Sequence, residues 1–235
     1  MPDGRFPTTQ WTLVARLKSG DEKESRRALD QICTAYHHPL YCYIRKRGLN
    51  HHDAADALHD FLARLLRLGS LKMADAEKGR LRSYLCTALQ HFLSSRHRGA
   101  RQQPRNVSLD DSAEELFRHE QLADHLTPES TLEKTWATNL LRLSLQDLAE
   151  AESTAGRGAQ FQMLEPFLSP DAVPPDYAVL VPQCGKTAEA LRKSVQRLRQ
   201  SFRKILRSRI AETLEEPSAE QIDEELNALQ AAMRI

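Results

Sequence analysis

The sequence predicts an all-α protein made of two small helical domains, an expectation carried by three observations. Apolar residues recur at three- and four-residue steps along most of the chain, the period of a helix with one buried face. Hydrophobic residues make up 40% and charged residues 28% of the 235, with only 6% aromatic, which suits several small helical cores better than one deep core. A stretch with little periodicity, rich in acids and containing Pro104, interrupts the pattern between Gly99 and Leu126. The expected organisation is an N-terminal segment at 1–22, a three-helix bundle at 23–99, an acidic linker at 100–126, a second helical domain at 127–214, and an acidic C-terminal helix at 215–235.

Each element has a local reason. Leu29, Ile32, Cys33, Tyr36, Leu40, Tyr43 and Ile44 form one stripe, with Pro39 demanding a kink or a break. Asn50 is positioned to cap the next helix, where Ala54, Ala57, Leu58, Phe61, Leu62 and Leu65 lie opposite Asp53, Asp56 and Asp60. Gly69 to Gly79 breaks the period. Leu81, Leu85, Ala88, Leu89 and Phe92 then start a third helix whose other faces carry arginines. Thr127-Pro128-Glu129 is a helix start with a cap, a proline at the first helical position and an early acid. Leu132, Trp136, Leu140, Leu143 and Leu148 carry that helix to a stop at Gly156-Arg157-Gly158, and Phe161, Leu164, Phe167 and Leu168 make a short helix before Pro170, Pro174 and Pro175.

The formal net charge is only +1, so an acidic partner is indicated only if charge is segregated locally. It is. Arg80 to Arg105 holds six arginines and no acid, and 106–171 holds 13 acids against 4 bases. Asp176 to Ile210 holds 9 bases against 2 acids, and Ala211 to Ile235 holds 7 acids against 1 base. Two basic blocks separated by acidic ones could grip a phosphate backbone in two places, although helical proteins also carry solvated basic faces.

The second basic block has the proportions of a helix-turn-helix: Tyr177 to Cys184, a turn at Gly185, and Thr187 to Arg209 with Thr187 as cap. Leu191, Val195, Leu198, Phe202, Ile205 and Leu206 form its buried stripe. Arg192, Lys193, Gln196, Arg197, Arg199, Arg203, Lys204 and Arg207 occupy the exposed arc.

In order, these parts resemble an extracytoplasmic-function sigma factor of the sigma-70 family, a promoter-specificity subunit of bacterial RNA polymerase. The resemblance covers nearly the whole chain. It rests on TTQWTLV (Thr8 to Val14), YHHPLYCYIRKRG (Tyr36 to Gly48), DAADALHDFLARLL (Asp53 to Leu66), KGRLRSYLCTALQHFL (Lys78 to Leu93), the TPE helix start, and YAVLVPQCGKTAEALRKSVQRLRQSFRKILR (Tyr177 to Arg207). It implies that the bundle is the family's region 2, docking on core RNA polymerase through Asp53, Asp56, Asp60 and Arg64. It also implies that Arg80, Arg82, Tyr84, Gln90, His91, Ser94 and Arg96 bind the single-stranded -10 element, where an extruded base needs stacking faces, edge hydrogen bonds and cations. The C-terminal domain is then region 4, reading the -35 duplex through Lys186, Thr187, Arg192, Lys193, Gln196 and Arg197. No cofactor is implied, and the resemblance leaves room for an anti-sigma factor or another regulator as a further partner.

The chain departs from the family at Pro182 inside the first helix of the helix-turn-helix, at Cys184 where a Leu commonly precedes the turn glycine, and at Ala57-Leu58-His59, where relatives are often more polar. Pro182 predicts a short or kinked helix and Cys184 an underpacked corner. A sigma-derived DNA-binding regulator or adaptor without initiation activity has the same parts and differs in whether it directs core polymerase to initiate. An enzyme is not expected. His37-His38 and His51-His52 have no HExxH or CxxC companion, so no metal site is expected, and no nucleophile set or phosphate loop stands out. The four cysteines are scattered and read as reduced, packed thiols. The N-terminus lacks an apolar signal stretch, and no run approaches the roughly 18 uncharged apolar residues of a membrane span, so a cytoplasmic protein is expected. In the tail, Ser218 and Gln221 form a capping-box start, and Ile222, Leu226, Leu229 and Met233 share a stripe. That helix is expected either to complete the C-terminal bundle or to cover the basic reader.

Overall fold

The computed structural model describes residues 22–67, 81–99, 126–169, 172–212 and 218–234. Their regular structure is entirely helical: α1 (Glu22–Lys46), α2 (His51–Arg67), α3 (Leu81–Gly99), α4 (Pro128–Thr154), α5 (Gly158–Leu164) with a 3-10 turn (Glu165–Phe167), α6 (Tyr177–Cys184), α7 (Ala188–Ala211) and α8 (Ala219–Met233). Among the described residues no helix is long and apolar enough to cross a membrane. The Thr8 to Val14 motif, Arg80 and nearly all of the expected linker lie outside the described residues.

Two compact units divide the chain, Met1–Asn139 with Ile210–Ile235, and Leu140–Arg209. The division runs through α4 and α7, so the start of the domain expected at 127–214 groups with the first three helices. The cause is visible in the residues that α4 buries there. Thr131, Leu132, Thr135, Trp136, Ala137 and Asn139 are all buried, and the amide of Asn139 donates to the carbonyls of Ala35 (3.0 Å) and Thr34 (3.2 Å) on α1.

That contact also explains why α1 runs through Pro39 without a break. Proline has no N–H, so the carbonyl four residues earlier, on Ala35, loses its helical donor. Asn139 supplies a replacement. α2 begins as expected, with the Asp53 N–H donating to Asn50 Oδ1 at 2.9 Å. Its buried face is Ala54, Ala57, Leu58, Phe61 and Leu65, and Phe61 packs against Phe92 of α3 with ring centroids 5.6 Å apart. At the α1–α2 corner, Tyr41 Oη lies 2.8 Å from His51 Nδ1. The Thr127 hydroxyl accepts from the Ser130 N–H at 3.1 Å and starts α4. Hydroxyls buried along α4 bond back to its own turns, Thr135 to the Thr131 carbonyl and Ser144 to the Leu140 carbonyl.

α8 opens with the expected capping box, Ser218 and Gln221 each bonding the other's backbone N–H. Its packing corrects the expectation. It belongs to the unit of α1–α3, where Glu225, Leu229 and Ala232 are buried and Thr138 of α4 donates to Met233 Sδ at 3.7 Å. It groups with those helices and not with the helix-turn-helix.

The second unit has its own core of Leu148, Phe161, Leu164, Leu180, Leu191, Val195 and Leu198. Gly185 adopts φ 61°, a left-handed conformation that ends α6 with its N–H on the Val181 carbonyl. Pro182 sits inside α6, but both it and Ala178, whose carbonyl it leaves without a helical donor, are exposed, so water can take that role. The corner at Cys184 is occupied: its Sγ lies 3.6 Å from Met163 Sδ.

Two stability outcomes follow. Asn139→Ala should cost about 1–3 kcal/mol by stranding the carbonyl that Pro39 orphans, and pairing it with Pro39→Ala should recover part of the loss. Leu191→Ala, at a position with no solvent exposure, should cost about 2–5 kcal/mol. Urea unfolding followed by circular dichroism measures both.

Candidate nucleic-acid interface

In the second unit the turn and the start of α7 are set by hydrogen bonds. The Ala190 N–H donates to the Thr187 hydroxyl at 3.2 Å, capping α7 where the sequence placed its start. Lys186 Nζ donates to Gln160 Oε1 at 2.7 Å, and Gln160 Nε2 is 3.1 Å from the Ser194 hydroxyl. Gln160 thus ties the turn to the second turn of α7.

The expected reading residues are all exposed, Lys186 and Thr187 in the turn before α7 and Arg192, Lys193, Gln196 and Arg197 on its outer arc. The Arg192 guanidinium lies over the Tyr177 ring, 5.3 Å from its centroid. Lys193 pairs with Glu189 one turn back at 2.9 Å, with both side chains about three-quarters exposed, so the pair contributes little and is easily traded for a phosphate. Arg197 Nη2 is 3.8 Å from Glu152 Oε2. That carboxylate is already held by Arg157 through two hydrogen bonds of 2.6 and 2.9 Å, so Arg197 takes only the fringe of its charge. Gln196 is exposed, as are Arg203 and Lys204 further along. Arg199 instead donates to the Phe167 carbonyl at 3.0 Å, bracing the 3-10 turn. Tyr177, Gln160 and Glu152 were missed by the sequence reading. Only their position near a helix-turn-helix could have singled them out.

In the first unit the expected residues separate. Asp53 is exposed and accepts from Asn50 Nδ2 at 2.8 Å. Asp56 is half-buried and Arg64 exposed. Asp60 and Arg96, assigned to different partners, form one ion pair of 3.1 Å between α2 and α3. A groove of about 150 Å³ between these helices is lined by Phe61, Arg64, Tyr84, His91, Phe92 and Ser95 among others, which brings Tyr84 and His91 together. Gln90 and Ser94 are exposed on the adjacent face of α3, and Ser94 donates to the Gln90 carbonyl at 2.8 Å.

Arg82 is different. Expected to face DNA, it has no solvent exposure. Its Nε donates to Glu133 of α4 at 2.7 Å and its Nη1 to Glu225 of α8 at 2.9 Å, while the guanidinium lies 4.2 Å from the centroid of Trp136. Burial opposes its charge, but the field of the two carboxylates outweighs burial and raises its pKa above the ordinary arginine value. Beside it the Tyr36 phenol is raised far above its ordinary value by burial and stays neutral. In this arrangement Arg82 is withdrawn from the protein surface by its own partners.

The Glu152 cluster makes a pH dependence calculable in sign. The hydrogen bonds from Arg157, opposed by burial and helped by the Arg157 and Arg197 charges, hold the Glu152 carboxyl below its ordinary value. Its stabilisation is therefore present above the unfolded value of about 4.3 and is lost as pH falls through the lowered folded value. Glu152→Gln should lower the melting temperature at neutral pH and converge with the parent in strong acid. Melting curves across the acid range measure this.

Compared with protein-family models, with curated proteins and with solved structures, the chain finds no match in any of the three, so the site rests on its own residues and their geometry.

Proposed function

We propose that the chain is a promoter-specificity subunit of the sigma type, which binds core RNA polymerase through α2 and promoter DNA through α3 and α7. The observation that carries the reading is the second unit. A glycine turn and a threonine cap aim α7, and its first turns present Arg192, Lys193, Gln196 and Arg197 outward from a packed core. A helix held this way inserts its N-terminal turns into a major groove, with later cations such as Arg203 and Lys204 on phosphates. The groove between α2 and α3, with Tyr84 and His91 on its walls and Gln90 and Ser94 beside it, supports a second contact. Aromatic faces stack on unpaired bases, and amide and hydroxyl groups meet their edges. On this reading the protein works in the cytoplasm with the polymerase and is not itself an enzyme.

The deciding experiment is initiation in vitro. Purified chain added to core polymerase should start transcripts at its own promoter. A chain that binds the DNA and starts none is the adaptor instead. For α7, Arg192→Ala or Arg197→Ala should each lower the slope of log affinity against log salt by about one unit, whereas Gln196→Ala should cost about 1–3 kcal/mol at one base pair and leave the slope alone. Fluorescence anisotropy over several salt concentrations reads both, and unchanged slopes would remove α7 as the reader. For α2, Asp56→Lys is the cleaner test because it spares the Asp60–Arg96 pair. It should weaken capture by core polymerase while the helical content stays at the parent's level.

A further inference from the structure

The burial of Arg82 has an unusual architecture. One of its carboxylates, Glu133, is about one-third exposed, and the other, Glu225, is fully buried on the last helix of the chain. A groove of about 390 Å³, lined by Arg82 together with Ser83, Thr87, Gln90 and Glu133, opens along the same side of α3 that carries Gln90. Apart from Glu225, the fully buried residues of α8 are only Leu229 and Ala232, and the helix carries Glu220, Asp223, Glu224 and Glu225 with no base between Ala219 and Met233. Few of its apolar side chains are fully covered, and a buried charge pair joins it to Arg82.

From these observations we infer that α8 is an autoinhibitory latch, in which the Glu225 carboxylate occupies Arg82 and keeps it from single-stranded nucleic acid bound along α3. The inference rests on the reading of α3 as the strand-binding helix. A carboxylate and a phosphate oxygen make the same charge-assisted bonds to a guanidinium, so a strand phosphate is the natural competitor for Glu225. Undocking does not strand a dry charge. Glu133 stays on Arg82, the vacated side fills with water or phosphate, and Glu225 leaves for solvent, where water hydrates its charge. Nucleic acid and α8 then bind Arg82 in competition, and each weakens the other's affinity by the same factor.

The test uses the full chain, the Glu225→Gln variant and the Arg82→Gln/Glu225→Gln double variant. Hydrogen exchange reads the helices, and fluorescence anisotropy reads a labelled thymidine oligonucleotide of about a dozen nucleotides, a length suited to a single-strand groove. Glu225→Gln should raise exchange across Ala219–Met233 while α1, α2 and α3 keep their protection. It should tighten oligonucleotide binding about tenfold, and the double variant should lose that gain. In the parent, saturating oligonucleotide should raise α8 exchange in the same way. The latch is overturned if α8 protection is unchanged in the variant, if α8 is freed with no gain in binding, if the gain survives in the double variant, or if α1–α3 lose protection together with α8. Initiation with core polymerase, measured on the same proteins, reports separately on the sigma-type reading. It can succeed while the latch fails.

Discussion

The first unit is organised around a cation that water cannot reach. Moving an isolated guanidinium out of water costs several kcal/mol even after the protein relaxes, so Arg82 dictates what must surround it. Two carboxylates arrive from positions 51 and 143 residues away in sequence, and an indole face closes the third side. Three helices that share no local contact are thereby fixed to one another. Charge pairing of this kind adds little net stability compared with an apolar core of the same shape, but it specifies which helix packs where. That matters most for α8, whose few buried apolar side chains would fit many grooves and whose single buried carboxylate fits one.

The second unit uses its charge in the opposite way. Its core cluster is apolar, and Arg192, Lys193 and Arg197 stand outside it, held loosely by an aromatic face, an exposed glutamate and the shared Glu152. Such partners preorganise a side chain without consuming it, since an exposed pair contributes about 1 kcal/mol or less and is screened by salt. Glu152 shows the division of labour. Arg157 takes both of its oxygens at short distance, while Arg197 lingers at 3.8 Å with its direction set and its charge largely free.

Much of this was legible in the sequence because it is local. The caps at Asn50, Thr127, Thr187 and Ser218, the glycine turn at 185 and the order of the helices follow from signals within four or five residues. What was not legible depends on partners far along the chain. Pro39 was expected to kink or break α1; the helix continues through it, and Asn139 restores the bond that the proline removes. The basic block beginning at Arg80 was counted as surface charge, yet Arg82 within it is neutralised at a distance that no local count can register. The unit boundary inside α4 is hidden for the same reason: Thr131, Thr135 and Asn139 look like solvated positions until the helices that cover them are in place.

The last helix shows how a stripe can mislead. Read by apolar content alone, α8 faces its neighbours with Ile222, Leu226, Leu229 and Met233. In the structure Ile222, Leu226 and Met233 are half-buried, and the fully covered positions are Glu225, Leu229 and Ala232. The packed face is therefore rotated toward an acid that hydropathy assigns to solvent. A glutamate on a buried face is tolerable only where a cation has already been buried opposite it, so the orientation of α8 could be inferred only after Arg82 was known to lie inside. The two choices depend on each other, which is why neither could be read from its own segment.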